Sequence, residues 1–460
     1  MIKAKDFPRF MVCAPSSGCG KTLITCALLR ILEKHGYKCA SYKCGPDYID
    51  PMFHSKVLNI PSRNLDLFLM GHNGIKKALV KGSIDKDIGV MEGVMGFYDG
   101  MKADSVKGSS YDICAITGTP AILVVNCKGM SKSVIALIKG FADYDKKGLI
   151  KGVILNNISS MVADSLKKDI EDELNIPVIG MLPKLAESFL ESRHLGLVMP
   201  SEIEDILAKI DRVSGILEQS LDMDKLINIA RSIGDILRHG DVDEETSYSI
   251  KAAGLSQATE PVRVGVAMDE AFCFYYEDNL DLLKEMGASI TFFSPIHDPK
   301  LPEVSRIILG GGYPELHAGE LSQNVSMKED ILRAANNGMP ILAECGGFMY
   351  LQERLSSPDK ETYEMVGVLK GSGSMRDRLG HFGYATVRST SDNPYLKVAE
   401  EIRAHEFHYY DTSDNGDTCL LTKPSGKSWT GIQVYKNVFA GFAHLYYPSR
   451  PEMIARFLAL

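Results

Sequence analysis

Short runs of β-branched and apolar residues alternate with longer amphipathic stretches through the first half of the chain. Phe10–Cys13, Ile88–Met91, Ala121–Asn126, Gly152–Asn156 and Val178–Met181 read as strands, apolar on both sides as in a parallel sheet covered by helices. Between them Thr22–Lys34, Ser133–Tyr144 and Val162–Leu174 carry a helical period. That alternation predicts βαβ units and a doubly wound parallel sheet. Ile203–Leu237 is helical in period, and the stretch after it is acidic and poor in large apolar residues, as a linker is. A second α/β rhythm follows. Its strands fall at Val262–Met268, Ser289–Phe293, Arg306–Leu309 and Pro340–Ala343, and its helices at Tyr275–Met286, Glu329–Asn336 and Gly347–Leu355. The last third holds strands at Tyr384–Arg388 and Gly431–Val434 and closes on a helix, Pro451–Leu458. The expected division is a domain over 1–238, a linker over 239–261 and a second α/β domain over 262–460.

Composition narrows the partners. The 460 residues exceed one hydrophobic core, and 45% hydrophobic with 24% charged residues excludes wholesale disorder. Lys and Arg number 51 against 59 Asp and Glu, a net charge of −8, which repels nucleic acid and anionic membranes. No apolar run reaches the roughly 18 residues of a membrane helix, and the start of the chain lacks a signal-peptide pattern. Ten cysteines form no C-x-x-C pair. Reduced thiols and a cytoplasmic location are expected.

The strand Phe10–Cys13 runs into Ala14-Pro15-Ser16-Ser17-Gly18-Cys19-Gly20-Lys21-Thr22 and an apolar helix. Strand, glycine-bearing turn and Lys-Thr at a helix start make a phosphate loop. Ser17 to Gly20 supply backbone N–H groups for ATP, Lys21 neutralises its β/γ-phosphates, and the Thr22 hydroxyl holds Mg²⁺. Pro15 stands where the first loop glycine usually falls. Two acidic segments lie within reach of strand ends, Asp47 and Asp50 in Gly45-Pro46-Asp47-Tyr48-Ile49-Asp50-Pro51, and Glu92 after Ile88–Met91. Because ligands of open sheets sit at the carboxyl ends of strands, Thr22, Asp47 and Glu92 are expected around the metal. The competing role for Asp47 and Asp50 is turn capping.

In the second half, Ile341-Leu342-Ala343-Glu344-Cys345-Gly346-Gly347 is a strand, a tight turn at Cys345 and a helix, the geometry of a nucleophile elbow. The helix start is expected to lower the thiol pKa. Gly311 and Gly312, after another buried strand, together with Gly346, form a candidate oxyanion hole. His444 is the expected base, with His405 and His408 as competitors.

These segments resemble class I glutamine amidotransferase domains of the corrin-ring amidase branch. With Asp47-Tyr48-Ile49-Asp50-Pro51, Glu92-Gly93-Val94-Met95-Gly96, Arg193-His194-Leu195-Gly196-Leu197 and His405-Glu406-Phe407-His408-Tyr409, the resemblance to cobyrinate a,c-diamide synthases spans nearly the whole chain. The N-terminal half is also similar to dethiobiotin synthetases. The resemblance implies ATP- and glutamine-dependent amidation of the a and c acetates of cobyrinate through acyl phosphates, with Mg²⁺, Asp47, Asp50 and Glu92 around the activated carboxylate. Nickel-sirohydrochlorin, hydrogenobyrinate and other cobyrinate carboxylates fit the same machinery, and a homodimer is left open. The family's usual Glu two residues after the catalytic His is Tyr446 here, which implies a Cys–His dyad. A basic pocket drawing on Lys43, Arg63, Arg193 or His194 is expected for a polycarboxylate. The reading from another class, a partition-type switch ATPase, lacks the extra loop lysine, since Ser16 holds its place, and has no use for the Cys345 elbow.

Overall fold

A computed structural model of the chain describes residues 7–185, 203–233, 260–376 and 380–460, and the backbone of 192–193 and 196–197. The chain divides into two compact units, Met1–Glu244 and Glu245–Leu460.

The first unit is a seven-stranded parallel sheet. Its strands are β1 (Arg9–Cys13), β2 (Cys39–Cys44), β3 (Ser62–Leu65), β4 (Ile88–Glu92), β5 (Ala121–Asn126), β6 (Ile150–Ile158) and β7 (Val178–Pro183), in the order β3-β2-β4-β1-β5-β6-β7. Met11, Cys13, Leu123, Val125 and Leu155 belong to one buried cluster, so the central strands carry apolar side chains as covered strands must. Helix α1 (Lys21–Lys34) follows β1 directly and buries Ile24, Leu28, Ile31 and Leu32. The order sets β2, β4 and β1 side by side, so the segments leaving their carboxyl ends are neighbours. Ile203–Leu237, read as one helical stretch, is two helices among its described residues, Ile206–Glu218 and Met223–Arg231, parted by the Asp222 cap.

In the second unit five parallel strands run in the order Ala288–Phe293, Val262–Ala267, Arg306–Leu309, Ile341–Glu344, Val438–Gly441, with Gln433–Tyr435 antiparallel at the edge. An antiparallel sheet (Ser428–Gly431, Cys419–Thr422, Phe382–Ser389, Glu401–Phe407, His444–Leu445) sets His405 opposite His444. Two expectations are corrected. The helix foreseen over Gly347–Leu355 ends at Leu351, where Gln352 turns extended and a strand, Arg354–Ser356, begins. The strand foreseen over Gly431–Val434 is two strands broken at Ile432, whose φ of 71° lies outside the extended range of a strand. The linker foreseen over 239–261 lies, up to residue 259, outside the described residues.

Arg9, fully buried in β1, anchors the first sheet. It donates to Thr119 Oγ1 (3.0 Å), to the Phe7 carbonyl (2.9 Å) and to the Thr117 carbonyl. Removing it orphans buried acceptors. Arg9→Ala should lower stability by about 3 kcal/mol, read as a lower urea midpoint; a change within about 0.5 kcal/mol, the size of a surface substitution, would contradict this role.

Candidate functional site

At the end of β1 the chain turns through Gly18 and Gly20, at φ 77° and 95°, conformations that glycine adopts without strain. A Cβ on Gly20 would stand 2.4 Å from Asn156 Nδ2, and that amide donates to the Cys19 carbonyl at 2.9 Å. Asn156, on β6, thereby clamps the loop. The segment after β4 packs on the loop's other side: Gly93 N–H donates to the Val12 carbonyl (2.9 Å) and Phe97 N–H to the Ala14 carbonyl (2.8 Å). Lys21 Nζ lies against both segments, donating to the Ser16 carbonyl (3.1 Å) and the Met95 carbonyl (2.7 Å). Burial and the nearby Lys43 lower its pKa, while Glu92 opposes them. A buried cation held by backbone carbonyls, at the start of a helix that follows a glycine turn, is matched by phosphate.

Behind the loop lies a buried network. Thr22 Oγ1 donates to Glu92 Oε1 at 2.6 Å, Lys43 Nζ donates to the same oxygen at 3.1 Å, and His54 Nε2 lies 3.1 Å from Glu92 Oε2. Lys43 also donates to the Gly93 carbonyl (3.1 Å) and pairs with Asp50. Burial alone would neutralise Glu92, yet Lys43, then His54 and Thr22, hold it below the usual carboxylate range. Burial likewise opposes the charge on Lys43, but Asp50 and Glu92 hold its pKa above the ordinary value. Asp50 moves the other way, raised by burial and by Asp47 and Glu92. A short π-helical turn, Phe53–Val57, brings His54 in, with Nδ1 2.8 Å from Ser41 Oγ. Such turns often mark functional sites.

Thr22, Asp50 and Glu92 are thus brought together at the loop. Asp47 Oδ1 accepts the N–H groups of Ile49 (2.8 Å) and Asp50 (3.2 Å), the turn-capping role weighed against the metal. Among the described residues no group of three or more His, Cys, Asp or Glu is arranged to hold a metal. The hard oxygens of Thr22 and Glu92 nevertheless suit Mg²⁺, which takes few protein ligands and completes its shell from phosphate and water. Lys43 is committed to Asp50, Glu92 and Gly93, so it is not spare charge for a substrate. Arg63 lies on β3 beside Tyr42 in register; the Arg193 side chain and His194 lie outside the described residues.

The second unit holds the other candidate centre. Strand Ile341–Glu344 ends at Cys345, whose φ of 49° and ψ of −101° make the strained elbow foreseen from its glycine neighbours. Space around it is tight. A Cβ on Gly311 would stand 2.3 Å from His444 Cε1, and one on Gly346 would stand 3.2 Å from the Gly312 amide nitrogen. Gly311, Gly312, Gly346 and His444 therefore converge. Tyr275 fixes the glycine segment by accepting the Gly310 N–H at 2.8 Å. Asn279 fixes the histidine segment, donating to the Leu445 carbonyl (2.8 Å) and accepting the Tyr447 N–H (2.8 Å). Glu344, hydrogen-bonded to Tyr447 and to the Leu445 backbone, ties the elbow to the same segment. Burial raises its pKa to about 8, so it is a neutral acid at pH 7. Tyr446, in the place of the usual third carboxylate, donates to Asp278 (3.0 Å).

One expectation reverses. The thiol of Cys345 is pushed up, not down, by burial and then by Glu315, with Glu406 and Glu344 adding to it; the Gly346 N–H opposes them weakly. His444 is lowered to about 3 by burial and then by His405 and His408. His405 is itself lowered to about 4 by burial. Thiol and imidazole are both neutral in the free protein. Sequence reasoning missed His54, Asn156, Tyr275 and Asn279, because each acts through distant partners; Glu344 was visible beside Cys345 but carried no signal of its role.

A CobQ/CobB/MinD/ParA nucleotide binding domain family matches residues 10–198, and a CobB/CobQ-like glutamine amidotransferase domain family matches residues 263–452. Together they make this chain a glutamine-dependent amidating ligase. Cobyrinate a,c-diamide synthase of Listeria innocua is 38% identical over 97% of this chain and 98% of its own length. The enzyme of the same name from Caldanaerobacter subterraneus subsp. tengcongensis is 38% identical over 98% and 97%, and that of Dehalococcoides mccartyi 35% over 98% and 98%. The chain belongs to the family of cobyrinate a,c-diamide synthases. Among solved structures, PurLQS of Thermotoga maritima is similar at 19% identity and TM-score 0.31, over 43% of this chain and 96% of that one. Among the described residues no helix is long and apolar enough to cross a membrane.

A raised thiol pKa fixes the sign of a pH effect. Below its pKa the thiolate fraction of Cys345 grows about tenfold per pH unit. Alkylation of this residue by iodoacetamide, followed by peptide mass mapping, should therefore rise about tenfold per unit from pH 7 to 9; a rate flat over that range would mean the thiolate is already formed.

Proposed function

We propose that the chain uses ATP and glutamine to amidate the a- and c-acetate carboxylates of a cobyrinate-type tetrapyrrole in the cytoplasm. One observation carries the reading: a single chain bears both a phosphate loop backed by charged Glu92 and a strained Cys345 elbow whose neighbour Gly346 lies against Gly312, with Gly311 against His444. A carboxylate does not react with ammonia at neutral pH because its oxygen is a poor leaving group. Transfer of the ATP γ-phosphoryl to that oxygen gives an acyl phosphate, and phosphate then leaves readily. Lys21 swings from the Ser16 and Met95 carbonyls to the β/γ-phosphates, and the loop N–H groups from Ser17 to Gly20 hold them. Mg²⁺ held by Thr22 and Glu92, with Asp47 as the further candidate ligand, would screen phosphate charge. Asp50 and Glu92 keep Lys43 rigid behind the reacting carboxylate.

Cys345 supplies the nitrogen. Its proton passes to His444 as the sulfur attacks the glutamine side-chain amide, and the Gly311, Gly312 and Gly346 N–H groups hold the oxyanion. His444 returns the proton to the departing ammonia, leaving a glutamyl thioester that water cleaves. The neutral resting pair suits this sequence, since the dyad becomes charged only when an amide is present to accept the sulfur.

Cys345→Ser should lower glutamine-driven amidation at least 10³-fold by order of magnitude yet leave amidation driven by ammonium salts, read as diamide formation from cobyrinate. Loss of both activities, or of neither, would contradict the assignment. Lys21→Ala should abolish amidation from either nitrogen source. Gly311→Ala, which drives a methyl into His444, should cost about 100-fold with glutamine and little with ammonium. Parallel assays with nickel-sirohydrochlorin and hydrogenobyrinate test the choice of ring.

A further inference from the structure

Among the described residues, the buried polar atoms near the elbow that lack a hydrogen-bond partner include Glu406 Oε2, Glu315 Oε2 and Tyr410 Oη. Glu406 is only 2% exposed, so its orphaned oxygen is expensive. Its neighbour His408 does not relieve it. His408 Nε2 stands 3.5 Å from Glu406 Oε2 and is itself without a hydrogen bond, while Nδ1 is engaged with the Tyr410 carbonyl and the ring stacks on Phe442 at 3.9 Å. These contacts hold the imidazole at ion-pair distance from the carboxylate, but without a hydrogen bond to it. Glu315, on the turn Pro314–His317 that packs against Gly346, is the first charge to act on the Cys345 thiol, and Glu406 acts on it too. Tyr410 in turn feels Glu315.

Two buried acceptors that both oppose thiolate formation are a poor setting for a nucleophile. They become a good one when a cation sits between them. A metal is the weaker candidate, since no metal-holding group of three or more His, Cys, Asp or Glu is found among the described residues. We propose that Glu406 and Glu315 seat the α-ammonium group of glutamine. The proposal rests on the reading of Cys345 as the nucleophile that attacks glutamine. The ammonium fills both orphaned acceptors, favours the ionised form of Glu315, whose carboxyl burial raises to about 7, and offsets the carboxylate contribution that adds to burial in raising the thiol pKa. Binding of the right amino acid thereby readies the sulfur, and an amide without the α-amino group leaves it protonated. Free acceptors discriminate strongly here, because a ligand lacking the donor leaves them buried and unpaired.

The test compares glutamine with 4-carbamoylbutanoate, the same molecule with hydrogen in place of the ammonium group, as substrates for ammonia release by the full chain. The unaltered protein should favour glutamine in kcat/KM by about 100-fold or more. Glu406→Gln and Glu315→Gln should each bring that ratio to within about tenfold, mainly by raising KM for glutamine, as expected where a hydrogen-bonding site loses its acceptor. A merely structural role would depress both substrates alike and leave the ratio intact. Equal use of the two substrates by the unaltered protein, or an unchanged ratio in both variants, would overturn the proposal. If one variant fails to fold, shown by its near-UV circular dichroism, the other decides. Ammonia release that survives Cys345→Ser is a different result: it removes the nucleophile reading, and the proposal falls with it.

Discussion

The first unit depends on keeping one buried carboxylate charged. Glu92 is fully enclosed at the end of β4, where an uncompensated charge could not survive, and Lys43, His54 and Thr22 surround it with donors. Each partner comes from a different element: β2, the π-helical turn after it, and the first turn of α1. The charge therefore joins three segments that the sheet order has already made neighbours. A single interaction fixes the floor of the phosphate loop and sets the Thr22 hydroxyl for a hard cation. It also uses up Lys43, so the positive charge at this place is structural and cannot serve as a substrate pocket.

The second unit follows the opposite electrostatic logic. Here burial leaves Cys345 and His444 neutral, and Glu344, a neutral acid at pH 7, serves as a tether between elbow and histidine segments. On the proposed reading, the pair becomes charged only during reaction. On that reading, such a resting state protects a sulfur that would otherwise be open to oxidation and ties ammonia release to the arrival of substrate. Strain at Cys345 is tolerable because the surrounding contacts over-determine it: its N–H is bonded to the Gly441 carbonyl at 2.8 Å, and the Gly347 N–H to the Gly310 carbonyl at 2.9 Å.

Where the chain announces itself by period or by glycine, the sequence was readable. Ala121–Asn126, Ser133–Tyr144 and Arg306–Leu309 match their elements residue for residue, and the loop before Lys21 and the elbow at Cys345 lie where strand-turn-helix spacing places them. β2 and β3 escaped because Cys-Ala-Ser-Tyr-Lys-Cys and Ser-Arg-Asn-Leu are too polar to read as buried strands. Their polarity has a cause: Ser41, Lys43 and Asn64 face inward to serve the site, with Asn64 donating to the Gly45 and Asp47 carbonyls at 2.9 and 2.7 Å. His54 and Asn156 were invisible for a related reason. Their value lies in partners 38 and 137 residues away, Glu92 and Cys19, and no local pattern encodes such distances. The thiol pKa was misjudged because the helix start was weighed without the burial, and then the Glu315 and Glu406 carboxylates, that only the fold supplies.

The central claim is that the nucleotide energises a substrate carboxylate while the sulfur supplies nitrogen. The most direct measurement follows oxygen. Cobyrinate labelled with ¹⁸O in its a- and c-carboxylates, turned over with ATP and glutamine, should give inorganic phosphate carrying one ¹⁸O atom for every amide formed. Phosphate free of label, with amides still forming, would show that the carboxylate oxygen never meets the γ-phosphoryl group and would contradict the account.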